Sequence, residues 1–143
     1  MKDGMEGAGW KRRMVVLVHM LPAGDAHFDW LIQASPDASD RVLTFRTRIH
    51  PAEGLVFSAD KLADHRSIYL TYEGEVSGGR GSVQRVWEGT IERVEMGESN
   101  MEVEAGGWLW KGRACGGGAW VWERTGHEKR PQGQSGGGEG VRL

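Results

Sequence analysis

The sequence holds a single cysteine, Cys115, no apolar run of bilayer-spanning length, and none of the common nucleotide-binding or nucleophile-elbow motifs. Each absence excludes something. One cysteine can form neither an internal disulfide nor a multi-cysteine zinc site. Its setting, Ala114-Cys115-Gly116, carries no pattern of an activated nucleophile. A membrane helix needs ~20 apolar residues, and the apolar stretch Met14–Val18 is also far shorter than the core of an export signal. No membrane contact and a cytoplasmic location are therefore expected. G-x-x-x-x-G-K-[ST], a strand-to-helix G-x-G-x-x-G and G-x-S-x-G are all missing, which removes P-loop, dinucleotide-binding and α/β-hydrolase chemistry.

What is abundant is glycine, 23 of 143 residues, and tryptophan, at 7. The glycines follow no triplet period, so collagen is excluded, and the length suits one domain. Residues 1–9 and 126–143 are rich in glycine and lack apolar periodicity; they are expected to be a disordered arm and tail. The domain is then 10–125. Within it, residues 14–125 carry 11 Lys/Arg against 16 Asp/Glu, an acidic balance that speaks against nonspecific duplex binding.

Short β-rich runs fill this region. Met14–His19, His27–Gln33, Arg41–Ile49, Ser67–Val76, Ser82–Met96, Met101–Arg113 and Ala119–Arg124 are expected strands. In Arg41–Ile49, Leu43, Phe45, Thr47 and Ile49 share a face and Val42 is out of step. Residues 51–64 are expected to be a long loop or a helical turn. The segments SGGRGS, MGESN, AGG and CGGG punctuate the runs as turn signals. Short strands joined by glycine turns predict a mainly β fold, a compact antiparallel β-barrel with small helical or loop flanks. Trp108/Trp110 and Trp120/Trp122 place two indoles on one strand face each, which suits core packing.

Three polar residues have suggestive spacing. His27 and Asp29, two apart on a strand, point to one face. A hairpin across residues 20–26 brings His19, at the end of the preceding strand, opposite them. Two imidazoles and a carboxylate form a donor set for Mn, Fe or Zn that leaves coordination positions open. The same spacing also suits three polar residues on the wet face of a sheet. His65, in Asp64-His65-Arg66, precedes Tyr69 and can bind phosphate or act as a general acid; as a neutral imidazole it is an ordinary loop residue. Tyr69 can donate to the same anion. Arg66 and Arg80 are further anion-binding candidates, Arg80 within a glycine-rich turn whose backbone N–H groups are accessible. His50 has no evident partner, and His127 lies in the tail.

Taken in order, Val16-Leu17-Val18-His19, His27-Phe28-Asp29, Asp64-His65 with Tyr69, Tyr72-Glu73-Gly74, a glycine-rich turn and Val86-Trp87-Glu88-Gly89-Thr90 resemble the 3′-phosphoesterase domain of bacterial DNA ligase D and its small stand-alone relatives. The resemblance spans about residues 14–93. It implies a β-barrel that trims 3′ ends of DNA or primer strands, removing a 3′-phosphate or the remnant of a ribonucleotide, with manganese preferred. By motif match, His19, His27 and Asp29 would hold the metal, and His65 and Tyr69 would address the scissile phosphate. The family places an arginine two residues after the metal-binding aspartate; this chain has Leu31 there, so Arg66 or Arg80 would supply the charge. The expected function is a metal-dependent phosphoesterase on nucleic-acid 3′ ends in DNA repair. A repair polymerase or ligase is a candidate partner. The alternatives are a non-catalytic accessory module on the same scaffold and a hydrolase of small phosphoesters.

Overall fold

Strand β1 (Arg13–Met20) alternates two apolar sets: Met14 and Val16 point to one face, Val15 and Leu17 to the other, and all four are buried. A strand buried on both faces must lie between two apolar clusters, and this one does. The computed structural model describes residues 12–34 and 41–126; the expected arm, 1–9, and the tail from residue 127 lie outside the described residues. Gly126, placed in the tail by the sequence, is instead the last residue of β9 and pairs with Trp108.

β2 (Ala26–Ile32), β3 (Arg41–Thr47) and β4 (Val56–Arg66) follow β1 as antiparallel neighbours. β5 (Gly74–Glu75) is a two-residue strand beside β6 (Ser82–Met96). β7 (Asn100–Ala105), β8 (Trp108–Gly116) and β9 (Ala119–Gly126) complete the chain. The order β1-β2-β3-β4-β9-β8-β7-β6 closes on itself because β1 also pairs with β6, giving an eight-stranded antiparallel barrel with β5 as an extra strand. The barrel expected from the glycine-punctuated sequence is the observed fold. Closure leaves those eight strands without a free edge.

The interior is aromatic. Trp30, Phe45, Phe57, Trp110 and Trp122 fill it together with Met14, Val16, Ile32 and Val103. Trp30 is the hub: its ring lies 4.7 Å from Trp122, 5.6 Å from Trp110 and 5.9 Å from Phe45, in tilted or edge-on geometries that suit ring quadrupoles. The paired tryptophans are core residues as expected, with Trp108 and Trp120 partly buried against the cluster. The Trp110 indole N–H donates to the Pro51 carbonyl at 2.9 Å, which ties the β3–β4 turn to the core. Arg124 donates to the carbonyls of Gly54 and Glu53, each at 2.9 Å, and lies over the Trp108 ring at 3.8 Å.

A second cluster packs on the outer side of the β1–β2–β3 wall: Val15, Leu17, Leu31, Val42, Leu70, Val76 and Val83. Val42 is out of step with Leu43 and Phe45 because strand alternation turns it to the outer face, into this cluster, while those two face the interior. Leu70 and Val76 come from the segment that folds over the wall, and that segment corrects the sequence reading. Ser67–Val76 was expected as one strand. Its first part is a single 3₁₀ turn, Ser67–Leu70, and only Gly74–Glu75 pairs as strand. Ile68 is exposed while Leu70 docks, a one-sided pattern that a strand face does not give. Residues 51–64, expected as a loop or helical turn, are a turn followed by most of β4, paired with β3 and β9.

A candidate metal-and-phosphate cleft on the barrel wall

β1 and β2 form the expected hairpin, and its register sets His19 directly opposite His27 and Leu17 opposite Asp29. All of these point to the outer face, continuing the row of Val15, Leu17 and Leu31. The imidazole rings meet edge-on with centroids 4.8 Å apart. Asp29 lies between them, 3% exposed, with Oδ2 3.3 Å from His19 Nδ1 and Oδ1 3.2 Å from His27 Nε2. The donor atoms of the three residues all lie within 4.8 Å of one another, the one such group among the described residues.

The hydrogen bonding around this trio is incomplete. His27 Nε2 and Asp29 Oδ1 are in contact but misaligned, and each is buried without a hydrogen-bond partner. Burying an unpartnered carboxylate oxygen and an imidazole nitrogen is costly. His19 Nε2 lies 2.8 Å from the Arg80 carbonyl oxygen. A carbonyl only accepts, so Nε2 carries the proton. In the neutral ring Nδ1 then turns its lone pair on the Asp29 carboxylate. A cation between the three groups would satisfy the facing lone pairs and the two orphans together. Two N/O ligands of one ion, each about 2.0–2.2 Å from it, stand roughly 3–4.5 Å apart, and both His–Asp contacts fall in that range. The residues present therefore fit a divalent ion. Burial lowers the His27 pKa below the usual imidazole value, with Arg46 and His19 pushing the same way and Asp29 opposing them. Neutral imidazole is the ligating form.

A cleft of about 370 Å³ opens beside the trio. His19 and Asp29 line it from β1 and β2, His65 and Arg66 from the end of β4, Tyr69 from the 3₁₀ turn and Arg80 from the glycine-rich turn. His27 does not line it. It faces the neighbouring groove with Arg46 and Arg48, so Asp29 separates the two spaces.

His65 and Arg66 are the last residues of β4, not a loop, because Val42 and Arg41 of β3 pair with them. The His65 backbone N–H donates to Thr44 Oγ1 at 3.2 Å. Its Nδ1 lies 3.2 Å from the Ala63 carbonyl, so Nδ1 carries the proton and Nε2 is the nitrogen left for proton transfer. Tyr69 stands edge-on to His65 at 5.9 Å and to Tyr72 at 5.8 Å. The Tyr72 hydroxyl donates to the Glu75 carbonyl, and Glu73 Oε2 accepts from the Arg85 N–H at 2.8 Å. Tyr72-Glu73 thus fastens the covering segment to β6. Arg80 Nε donates to the Ser77 carbonyl at 2.8 Å.

Leu31 is 0% exposed in the second cluster and brings no charge to the cleft. The cations are Arg66 and Arg80, as the sequence suggested, and Arg41, which the sequence reading missed. Arg41 reaches the cleft because it pairs with Arg66 and donates to the Asp64 carbonyl at 3.4 Å. No local motif marks it; only the β3–β4 register does. His50, without an evident partner in the sequence, accepts the Ala52 N–H on Nδ1 at 3.0 Å and packs against Phe28 at 5.1 Å. Cys115 is exposed and does not line the cleft. No protein-family model and no curated protein matches the chain.

Proposed function

We propose that this chain is a divalent-metal-dependent phosphoesterase acting on the 3′ end of a nucleic-acid strand. One observation carries the reading: His19 and Asp29 share a single cleft with His65, Tyr69, Arg66 and Arg80. A donor set for a hard or borderline cation thus borders a set of hydrogen-bond donors and cations suited to a phosphate. The resemblance to the ligase D phosphoesterase domain supports the same assignment and suggests manganese, with zinc or iron as substitutes.

His19, His27 and Asp29 would hold the ion. A divalent ion there supplies Lewis-acid polarisation of a phosphoryl oxygen. The chain's own groups do the rest. Arg66 and Arg80 neutralise the phosphate, and the Tyr69 hydroxyl orients it through a hydrogen bond. As water attacks phosphorus, the bond to the 3′ oxygen breaks. His65, protonated on Nε2, gives that proton to the leaving oxygen. A strand end enters such a cleft without the row of phosphate contacts that a wrapped duplex demands, which accommodates the acidic composition of the barrel.

The test is release of inorganic phosphate from a 3′-phosphorylated primer with Mn²⁺. Activity in the wild-type chain that His27→Ala removes supports the assignment; no release from either sinks it. A second reading, a binding module without turnover, is favoured by Leu31, which puts an apolar side chain where the related enzymes have an arginine. Mn²⁺ and primer-end binding without phosphate release would select it.

A further inference from the structure

The glycine-rich turn between β5 and β6 does more than expose Arg80. Its backbone reaches the end of β1: a Cβ on Gly81 would lie 1.9 Å from the Met20 carbonyl oxygen, and Gly81 has φ +94°. No side chain fits there, and the φ is one that L-residues rarely adopt. The turn is held by the Val76 N–H donating to the Gly81 carbonyl at 2.8 Å and by Arg80 Nε donating to the Ser77 carbonyl at 2.8 Å. Val76 and Val83, on either side, are buried in the second cluster. The product of this close approach is the Arg80 carbonyl, 2.8 Å from His19 Nε2.

We propose that the Arg80-Gly81 main chain is a positioning device for the metal centre, in which the Arg80 carbonyl fixes His19 as the Nε2–H tautomer and directs its Nδ1 lone pair at the position facing Asp29. Arg80 then acts twice, through its backbone on the donor set and through its guanidinium on the phosphate. The two roles are separable because one belongs to the main chain. Gly81 is the residue that makes the first possible. This inference rests on the metal reading above.

Two measurements test it. In metal-free wild-type protein near pH 8, above the ordinary imidazole range, the side-chain ¹⁵N shifts of His19 should show a protonated Nε2 and a lone-pair Nδ1. A protonated Nδ1 overturns the proposal. For the second, Gly81→Ala is compared with Gly79→Ala. Both glycines have positive φ, +94° and +68°, but a Cβ on Gly79 meets nothing within 4 Å. Both variants therefore carry backbone strain and only one displaces the carbonyl. Gly81→Ala should weaken Mn²⁺ binding by calorimetry about 10–100-fold, the usual cost of losing a group that orients a ligand, and Gly79→Ala should stay close to wild type. Equal affinities in the two folded variants overturn the positioning role and leave the metal reading standing. A wild-type chain with the expected tautomer that binds no Mn²⁺ overturns the metal reading instead. The tautomer measurement needs no variant, so a Gly81→Ala chain that fails to fold does not remove the test.

Discussion

Asp29 and Leu31 leave the same face of the same strand, yet Asp29 lies between two imidazoles and Leu31 is sealed among Val15, Leu17, Val42, Leu70, Val76 and Val83. One wall thus carries an ionic site and an apolar packing surface two residues apart. The boundary is set by what covers the wall: the 3₁₀ turn brings Leu70 into the cluster that holds Leu31, whereas the glycine turn brings a carbonyl to His19.

An arginine at position 31 should therefore damage this chain. Leu31→Arg places a guanidinium in a cluster that offers no carboxylate. The expected loss is about 3 kcal/mol or more of unfolding free energy, read from urea denaturation. Leu31→Ala should cost about 2–5 kcal/mol. An arginine variant as stable as wild type would mean that the covering segment moves aside.

Metal should stabilise the fold through its donors. With Mn²⁺ at a hundred times its dissociation constant the gain is about 2.7 kcal/mol, a rise of roughly 5–15 °C in Tm for a domain of this size. Asp29→Asn should abolish the rise, since it removes the one anionic ligand. A metal-induced shift that survives Asp29→Asn places the ion elsewhere.

The two cleft residues assigned to the phosphate should have unequal effects on release from a 3′-phosphate primer. His65→Ala should lower kcat about 10²–10⁴-fold, as the loss of a general acid does. Tyr69→Phe removes one hydrogen bond to an anion and should cost roughly 10–100-fold. Comparable kcat values for wild type and His65→Ala would remove His65 from the chemistry.

Stability should fall on acidification below neutrality. Burial holds the His50 pKa under 6.5, with Arg124 adding to the shift and Glu53 opposing it. The Ala52 N–H bond to Nδ1 also needs that nitrogen unprotonated. Between the lowered native value and 6.5 the unfolded chain binds the extra proton, so unfolding becomes easier as pH drops through that window. His50→Asn should flatten the slope of urea midpoint against pH between about 6.5 and 5. His27, lowered first of all by burial, contributes in the same direction. An unchanged slope in His50→Asn contradicts this.

Gly112 is held glycine by its cross-strand partner. A Cβ there would lie 2.7 Å from three atoms of the buried Trp122 ring. Gly112→Ala should destabilise the barrel by about 1–3 kcal/mol through overpacking, with loss of tryptophan near-ultraviolet dichroism. A neutral effect would show that Trp122 can shift within the core.

The barrel and the His19, His27, Asp29 trio were legible in the sequence because both depend on strand alternation and on turns that glycine marks locally. A hairpin with an i, i+2 pair needs no long-range information. The covering segment was not legible. Ile68, Leu70 and Tyr72 alternate as a strand would, but Leu70 alone is buried, against partners from β1, β2 and β3. β4 was missed for the opposite reason: its buried positions include only Phe57 and Ala59, while Val56, its first residue, is 68% exposed. Pairing on both sides, not hydrophobicity, makes it a strand. Arg41 needed that same register to be seen.

The seam at which β1 meets β6 also orders the site in time. A growing chain makes the β1–β2 hairpin, and with it all three donors, well before Ser82–Met96 exists to receive β1 on its other side. At that stage His19 has an aspartate beside it but no carbonyl behind it. The three side chains are thus local to one hairpin, whereas the carbonyl behind His19 depends on a pairing some sixty residues further along the chain.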